Sequence, residues 1–392
     1  MLPLDGVKVM DLSHAAAGPC CTMLLADMGA DVMKIEPIGG ESFRYVMNGA
    51  FLMNLNRNKR GMALNLNSDE GKDIALRLVE QVDVFVESFT PGTIDKLGLD
   101  YDTVSQVNPM IIYCSISGFG QTGPYRSRPS FDPIAQAMSG IMLATGEADR
   151  PPVRITPPTI DYGTGMLGAY GVALALMERE KTGKGKRMDV ALFDTAIFYM
   201  GHYIANYSLT GQIPTRMGSG ASAVAPYQVF QAKDRLVFIG VLTDEAWKKF
   251  CQSLGLDDLV ADPRYATRDE RSENRDELAS TLNQIFEQYD SEELLAKLVA
   301  NDIPCGPLLD VGEVIEDEQV IARKIIVDAD YPGVEKVKMV RTPINYSNMN
   351  DQVNFRAPLL GEHTSEVLKE LGYSDMEISQ FAGKGVILKN EM

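Results

Sequence analysis

Apolar residues in the first third of the chain fall in short runs, separated by stretches whose apolar positions repeat at helical spacing. Residues 7–12 and 31–35 read as buried strands. A helix over 15–28 lies between them with Gly29 as its C-cap, which makes a βαβ unit. Ser68 can cap a helix over 69–81 that runs into a strand over 82–86, and residues 110–116 form another buried strand. Strands alternating with helices predict a parallel sheet, so the expected fold class is α/β with a Rossmann-like large domain. The dinucleotide fingerprint is missing, because Ser13-His14-Ala15-Ala16-Ala17-Gly18 follows the first strand in place of Gly-x-Gly-x-x-Gly. That disfavours a nicotinamide enzyme and makes Glu36 a strand-end surface residue.

The pattern changes at Pro151-Pro152-Val153-Arg154-Ile155-Thr156-Pro157-Pro158, whose prolines impose extended geometry. After it, Met166, Leu167, Ala169, Tyr170, Val172, Ala173, Leu174 and Leu176 keep an apolar face at helical spacing until Thr182-Gly183-Lys184-Gly185. Asp161 therefore stands at a helix N-terminus. One reading makes it the N-cap, contributing roughly 0.5–2 kcal/mol. The other makes it a nucleophile kept ionised by the helix dipole, with Gly163 and Gly165 leaving space for an acyl group and free amides for an oxyanion.

A second region follows the glycine-rich loop 217–223. Residues 236–241 read as a strand, Thr243 caps a helix carrying Trp247 and Phe250, and amphipathic helices cover 273–288 and 291–300. Tyr331-Pro332-Gly333 is a turn, and residues 336–341 read as a strand. These charge-rich helices predict a smaller α+β domain. Gly218 and Gly220 suit either a second oxyanion loop or an interdomain linker.

Composition narrows the chemistry. The 392 residues are 45% hydrophobic and 23% charged, as in ordinary folded proteins. No apolar run approaches the ~18 residues of a membrane span and no signal peptide is visible, so a cytoplasmic location is expected. Five cysteines without paired spacing fit a reducing compartment. Cys20 and Cys21 read as part of a buried helix, and no metal site is indicated. A formal net charge of −17 disfavours nucleic acid. Three local basic clusters could still meet a polyanionic ligand: Arg57, Lys59 and Arg60; Arg126 and Arg128; Lys184, Lys186 and Arg187.

Eight segments in order carry a family resemblance. They are Pro3-Leu4-Asp5-Gly6-Val7-Lys8-Val9 with Ala17-Gly18-Pro19, and Ala26-Asp27-Met28-Gly29-Ala30-Asp31-Val32 running into Lys34-Ile35-Glu36-Pro37. Next come Asn58-Lys59-Arg60, Glu87-Ser88-Phe89-Thr90-Pro91-Gly92 and Gly118-Phe119-Gly120-Gln121-Thr122-Gly123-Pro124. The last three are Thr182-Gly183-Lys184-Gly185, Ile303-Pro304-Cys305-Gly306-Pro307 and Ala357-Pro358-Leu359-Leu360-Gly361-Glu362-His363-Thr364. Across nearly the whole length the chain resembles the class III coenzyme A transferases.

The resemblance implies a large domain beginning over 1–200, a small domain over 224–325 and a return to the large domain over 330–392. It also implies an interlocked homodimer. It gives Asp161 the role of a nucleophile that carries CoA as a thioester between an acyl-CoA donor and a carboxylic acid acceptor, with no tightly bound cofactor. The CoA-binding positions it implies are Ala16, Leu64 and Asn65, Ser88 and Phe89, Lys96, and Phe131 with Asp132. Ala16 replaces a glutamine of the formyl-CoA transferases, and Gly218-Ser219-Gly220-Ala221 replaces a longer glycine run. Both departures favour a larger acid.

Two alternatives differ in class. The 2-methylacyl-CoA racemases are similar but carry a histidine before an aspartate where this chain has Phe131-Asp132, and a phenyl ring cannot carry a proton. A catalytically silent acyl-CoA-binding protein would also keep Asp161 as a cap. Asp132, with Pro133 after it, is an N-cap candidate. Of the three histidines, His14 reads as packed or capping, and His363 starts a C-terminal helix.

Overall fold

The computed structural model describes residues 2–347 and 356–390; the expected returning segment 330–392 therefore includes 348–355 and 391–392, which lie outside the described residues. The chain divides into two compact units. The first comprises the chain up to Ile141, Arg154–Thr210 and the chain from Arg323; the second comprises Met142–Val153 and Gly211–Ala322. Residues 142–153, inside the expected 1–200 segment, join the second unit. The reason is local pairing: Gly218 N–H donates to Gly146 O at 2.9 Å and Arg216 Nε to Glu147 O at 3.0 Å.

The first unit is built on a sheet of β1 (Lys8–Asp11), β2 (Asp31–Glu36), β3 (Lys59–Leu64), β4 (Val84–Glu87), β5 (Ile112–Ser117) and β6 (Lys186–Ala191). The spatial order is β3-β2-β1-β4-β5-β6, all parallel, with Ile387–Leu388 antiparallel on β3. Order therefore reverses between β1 and β4, the position at which open α/β sheets bind ligands beyond their strand C-termini. The strands expected from apolar runs are present. β3 and β6 escaped that reading because Lys59, Arg60, Lys186 and Arg187 make them look solvated.

Those charges are largely neutralised by the fold. Lys59 is buried and its Nζ reaches Asp11 Oδ2 at 3.0 Å, Thr22 Oγ1 at 2.7 Å and Asn56 Oδ1 at 2.8 Å. Arg57 pairs with buried Asp27 at 2.6 Å, and Arg60 with Asp31, Glu366 and Glu370. Lys34 Nζ, also buried, donates to Ser13 O at 2.6 Å and pairs with Glu41 at 3.1 Å. Glu36 is no surface residue, since it is buried in an ion pair with Arg44.

Two helices pack closely behind this network. Ala17–Asp27 is almost wholly buried, Cys20 and Cys21 included, and lies against the long helix Thr159–Thr182. Glycine permits the approach: a Cβ on Gly165 would sit 2.6 Å from Cys20 Cβ and 2.7 Å from Ala17 O.

In the second unit β7 (Tyr227–Gln231), β8 (Leu236–Gly240) and β9 (Cys305–Pro307) form an antiparallel sheet. It packs under Trp247, Phe250 and Phe286, and Thr243 caps its helix by accepting from Ala246 N–H at 3.1 Å. In the first unit's returning segment, a hairpin of β10 (Ile326–Tyr331) and β11 (Val334–Val340) turns at Pro332-Gly333. Among the described residues no helix is long and apolar enough to cross a membrane.

Lys59→Met should leave Asp11 charged and buried without its main partner, and a broken buried pair costs about 3–5 kcal/mol. Chemical denaturation would show a loss of that size; a change within about 0.5 kcal/mol would mean that the Asp11 network does not hold the strand ends.

Candidate active site

Two cavities open at the reversal point of the sheet, and His14 lines both. His14 follows β1 and Ser88 follows β4; Ser88 Oγ accepts from His14 N–H at 2.9 Å, which ties the two strand ends together. His14 also packs on Phe89, with ring centroids 5.3 Å apart. Burial, with Lys34 nearby, holds the His14 imidazole below its ordinary value, so it is neutral at pH 7. Ala15 has a left-handed φ of 62°, an uncommon backbone for alanine, and its N–H donates to Glu41 Oε2 at 3.0 Å. The buried Lys34–Glu41 pair thus shapes residues 14–16.

The smaller cavity, of about 400 Å³, contains Asp161. The helix begins at Thr159 with Pro158 as its N-cap, so Asp161 is in the first turn and is not the cap itself. Asp132 takes that duty from another helix: its Oδ2 accepts from Ile160 N–H at 2.8 Å and Asp161 N–H at 3.2 Å. Asp132 opens Asp132–Ser139 after Phe131, so it is not the N-cap of its own helix either. Gln136, one turn on, donates to Asp132 Oδ1 and to Ile155 O, and accepts from Ile155 N–H at 2.9 Å. One buried amide therefore fastens the proline-rich segment to the carboxylate that caps the helix carrying Asp161.

Ala16, Ser88, Phe131, Asp132 and Asp161 line this one cavity. Leu64, Asn65 and Phe89 line the adjoining cavity of about 580 Å³. Lys96 is exposed at the end of Thr93–Lys96 and lines neither.

The glycines need correction. Gly163 and Gly165 lie in the body of the helix, beyond its first-turn orphan amides, so they do not supply free donors. Their small size serves packing: a Cβ on Gly163 would collide with Tyr199 Oη at 1.7 Å. Gly218 and Gly220 belong to the second unit, where their N–H groups donate to Gly146 O and Met217 O.

The basic clusters also divide. Arg57 and Lys59 are used internally, while Lys186 pairs with Glu178 and Arg187 lies over Tyr101 at 5.8 Å. Arg126 is exposed, and Arg128 covers Tyr125 at 3.8 Å. Sequence reasoning missed Gln136 and Arg154, whose place depends on a contact between segments nineteen residues apart. The Gln that follows Asp132 at helical i+4 spacing was the one available signal. His363 precedes the helix Thr364–Glu370 without capping it through its side chain, and its Nδ1 accepts from Gly61 N–H of β3 at 3.1 Å. Among the described residues no group of three His, Cys, Asp or Glu could hold a metal ion.

Burial pushes the Asp161 carboxyl up to about 7, and Asp132 adds to the rise. The helix terminus was expected to keep it ionised; desolvation in an apolar cavity beside a second carboxylate outweighs that. Asp161 is consequently poised between its charged and neutral forms near pH 7.

The family model described as CoA-transferase family III matches residues 4–364. A Haloarcula hispanica protein named succinyl-CoA:mesaconate CoA-transferase is 38% identical over 384 residues, covering 94% of this chain and 96% of its own. The Homo sapiens succinyl-CoA:glutarate CoA-transferase is 34% identical over 398 residues, covering 99% of this chain and 91% of its own. A crystal structure of a CAIB/BAIF family protein from Brucella suis superposes with a TM-score of 0.86 at 37% identity, covering 94% of this chain and 99% of that one.

A carboxyl raised from 3.8 to about 7 favours its neutral form in the fold, so its stabilising contribution is complete below about pH 4 and is lost as pH rises through 7. Asp161→Asn removes that loss. Thermal or chemical unfolding should show the variant more stable than the parent at about pH 8, by up to ~4 kcal/mol, with the margin shrinking toward about pH 5. A margin independent of pH would contradict the buried-carboxyl account.

Proposed function

The chain belongs to CoA-transferase family III, and from that membership we propose that it moves CoA from an acyl-CoA donor to a carboxylic acid through a thioester on Asp161. The observation that carries this reading is the division of labour between two aspartates. Asp132 satisfies the helix amides, so the Asp161 carboxylate remains available to the cavity.

A carboxylate oxygen of Asp161 adds to the thioester carbonyl, and collapse expels CoA thiolate to leave a mixed anhydride. The thiolate then attacks the aspartyl carbonyl carbon, releasing the donor acid as its carboxylate and leaving aspartyl-CoA thioester. The acceptor carboxylate attacks that thioester, thiolate leaves, and its return to the acceptor acyl carbon regenerates Asp161. No net proton is needed. Ala16, Ala17 and Gly18 line the cavity at the start of Ala17–Asp27, which no side chain caps, and amides there can meet a developing oxyanion. The CoA moiety extends into the larger cavity past His14, against Leu64, Asn65 and Phe89. CoA enters as substrate, and no tightly bound cofactor takes part.

We also propose a homodimer, interlocked as the family resemblance implies. Met166, Tyr170, Leu174 and Met177 form an exposed apolar row on the long helix, and Gly201–Thr210 buries none of its residues. All five cysteines are free, which suits a cytoplasmic setting.

The decisive experiment incubates the protein with a panel of acyl-CoA thioesters, quenches with hydroxylamine and maps the hydroxamate by peptide mass spectrometry. Modification should fall on Asp161; thioesters that bind without modifying it would refute the assignment. Asp161→Asn should lower kcat by ~10³-fold or more while keeping the fold. Because the attacking form is the anion, kcat/KM should rise with pH through about 7 and level off above it. Sedimentation should give a dimer, and substituting Tyr170 and Leu174 with charged residues should weaken it.

A further inference from the structure

The cavity that holds Asp161 has largely apolar walls, with Phe43, Phe51, Ile116 and Leu192 among them. Two carboxylates, Asp132 and Asp161, also line it. Among the described lining residues one Lys or Arg is present, Arg154. The residue is exposed, and among the described residues its hydrogen bonding amounts to one long donation from Nη1 to Thr156 O at 3.4 Å. Nor is its charge devoted to the nucleophile, because Asp161 is perturbed by burial and Asp132 without a contribution from Arg154. The other basic ring on this wall, His14, is neutral at pH 7.

The backbone beside Arg154 is nevertheless well anchored. Both polar groups of Ile155 are held by Gln136, the amide that also holds Asp132, and prolines flank the segment at 151–152 and 157–158. The arginine's backbone and the nucleophile's helix are thus referred to one buried point.

We propose that Arg154 receives the distal carboxylate of a dicarboxylic acyl group, so that the enzyme moves CoA between dicarboxylic acids. This rests on the transferase reading of the same cavity. The apolar walls suit the methylenes of such an acid. A free carboxylate entering beside Asp132 and Asp161 would be repelled by like charge without a cation to meet it. A guanidinium presents a planar fork that matches a carboxylate at two points, and a monocarboxylic acyl group would leave that fork unpaired.

The test compares succinyl-CoA with butyryl-CoA, which share chain length and differ in the distal carboxylate. Binding is measured by titration calorimetry in Asp161→Asn, which cannot turn over, with and without Arg154→Gln. Succinyl-CoA should bind about 30-fold tighter than butyryl-CoA, and Arg154→Gln should reduce that preference to within about 3-fold. Arg154→Lys, which keeps the charge without the fork, should retain part of it. Equal affinities, a preference that survives Arg154→Gln, or equal weakening of both thioesters would overturn the assignment. In parallel, the hydroxamate assay is run on the parent protein with both thioesters. Labelling of Asp161 without a binding preference overturns the dicarboxylate proposal alone. A preference that depends on Arg154 without labelling of Asp161 supports that proposal and overturns the nucleophile assignment.

Discussion

Asp132 opens one helix, and its carboxylate accepts from the first amides of another, Ile160 and Asp161, so two separately formed segments meet on a single buried anion. That arrangement resolves a competition inherent in a helix start. A first-turn aspartate ordinarily has unsatisfied amides beside it and is drawn into capping them. With Asp132 filling that role, Asp161 keeps its oxygens for the cavity, at the cost of a second negative charge nearby. Burial raises the Asp161 carboxyl, and the same Asp132 that frees it adds to the rise.

The ends of the parallel strands are held by a different device. Asp11, Lys59, Lys34 and Glu41 are buried together, and their hydrogen bonds run from the sheet into residues 13–15 and 22. Burial opposes the charge on Asp11, yet Lys59 and Lys34 hold its carboxyl below the ordinary value. Burial of Lys59 lowers it to about 8 even with Asp11 opposite. Such a network is costly to assemble and more costly to interrupt. Its visible product is the left-handed turn at Ala15, which brings His14 and Ala16 to the wall of the Asp161 cavity.

Legibility in the sequence followed the strength of local signals. Ser68 and Thr243 were identifiable as caps and are caps, because capping joins residues three apart. The buried strands of apolar composition were equally plain. β3 and β6 were hidden by their lysines and arginines, and Glu36 was misassigned to the surface, since ion pairing across the fold leaves no periodic trace. Asp132 was read as a cap of its own helix, whereas it caps the helix starting at Thr159; proline at 133 marked a helix start correctly but not whose amides the carboxylate would serve.

By itself the amino-acid sequence determined the α/β class, the family, the helix start near Asp161 and the candidacy of that residue, because hydrophobic period, proline and glycine placement and ordered short segments are all local properties. Tertiary structure alone decided which polar groups share a partner. It turned Gly163 and Gly165 from oxyanion donors into close-packing positions, withdrew Arg57 and Lys59 into buried pairs, and brought Arg154 to the cavity through Gln136. A hydrogen bond between residues far apart in sequence depends on where two segments cross, and that crossing is set by the packing of the whole first unit rather than by any segment within it.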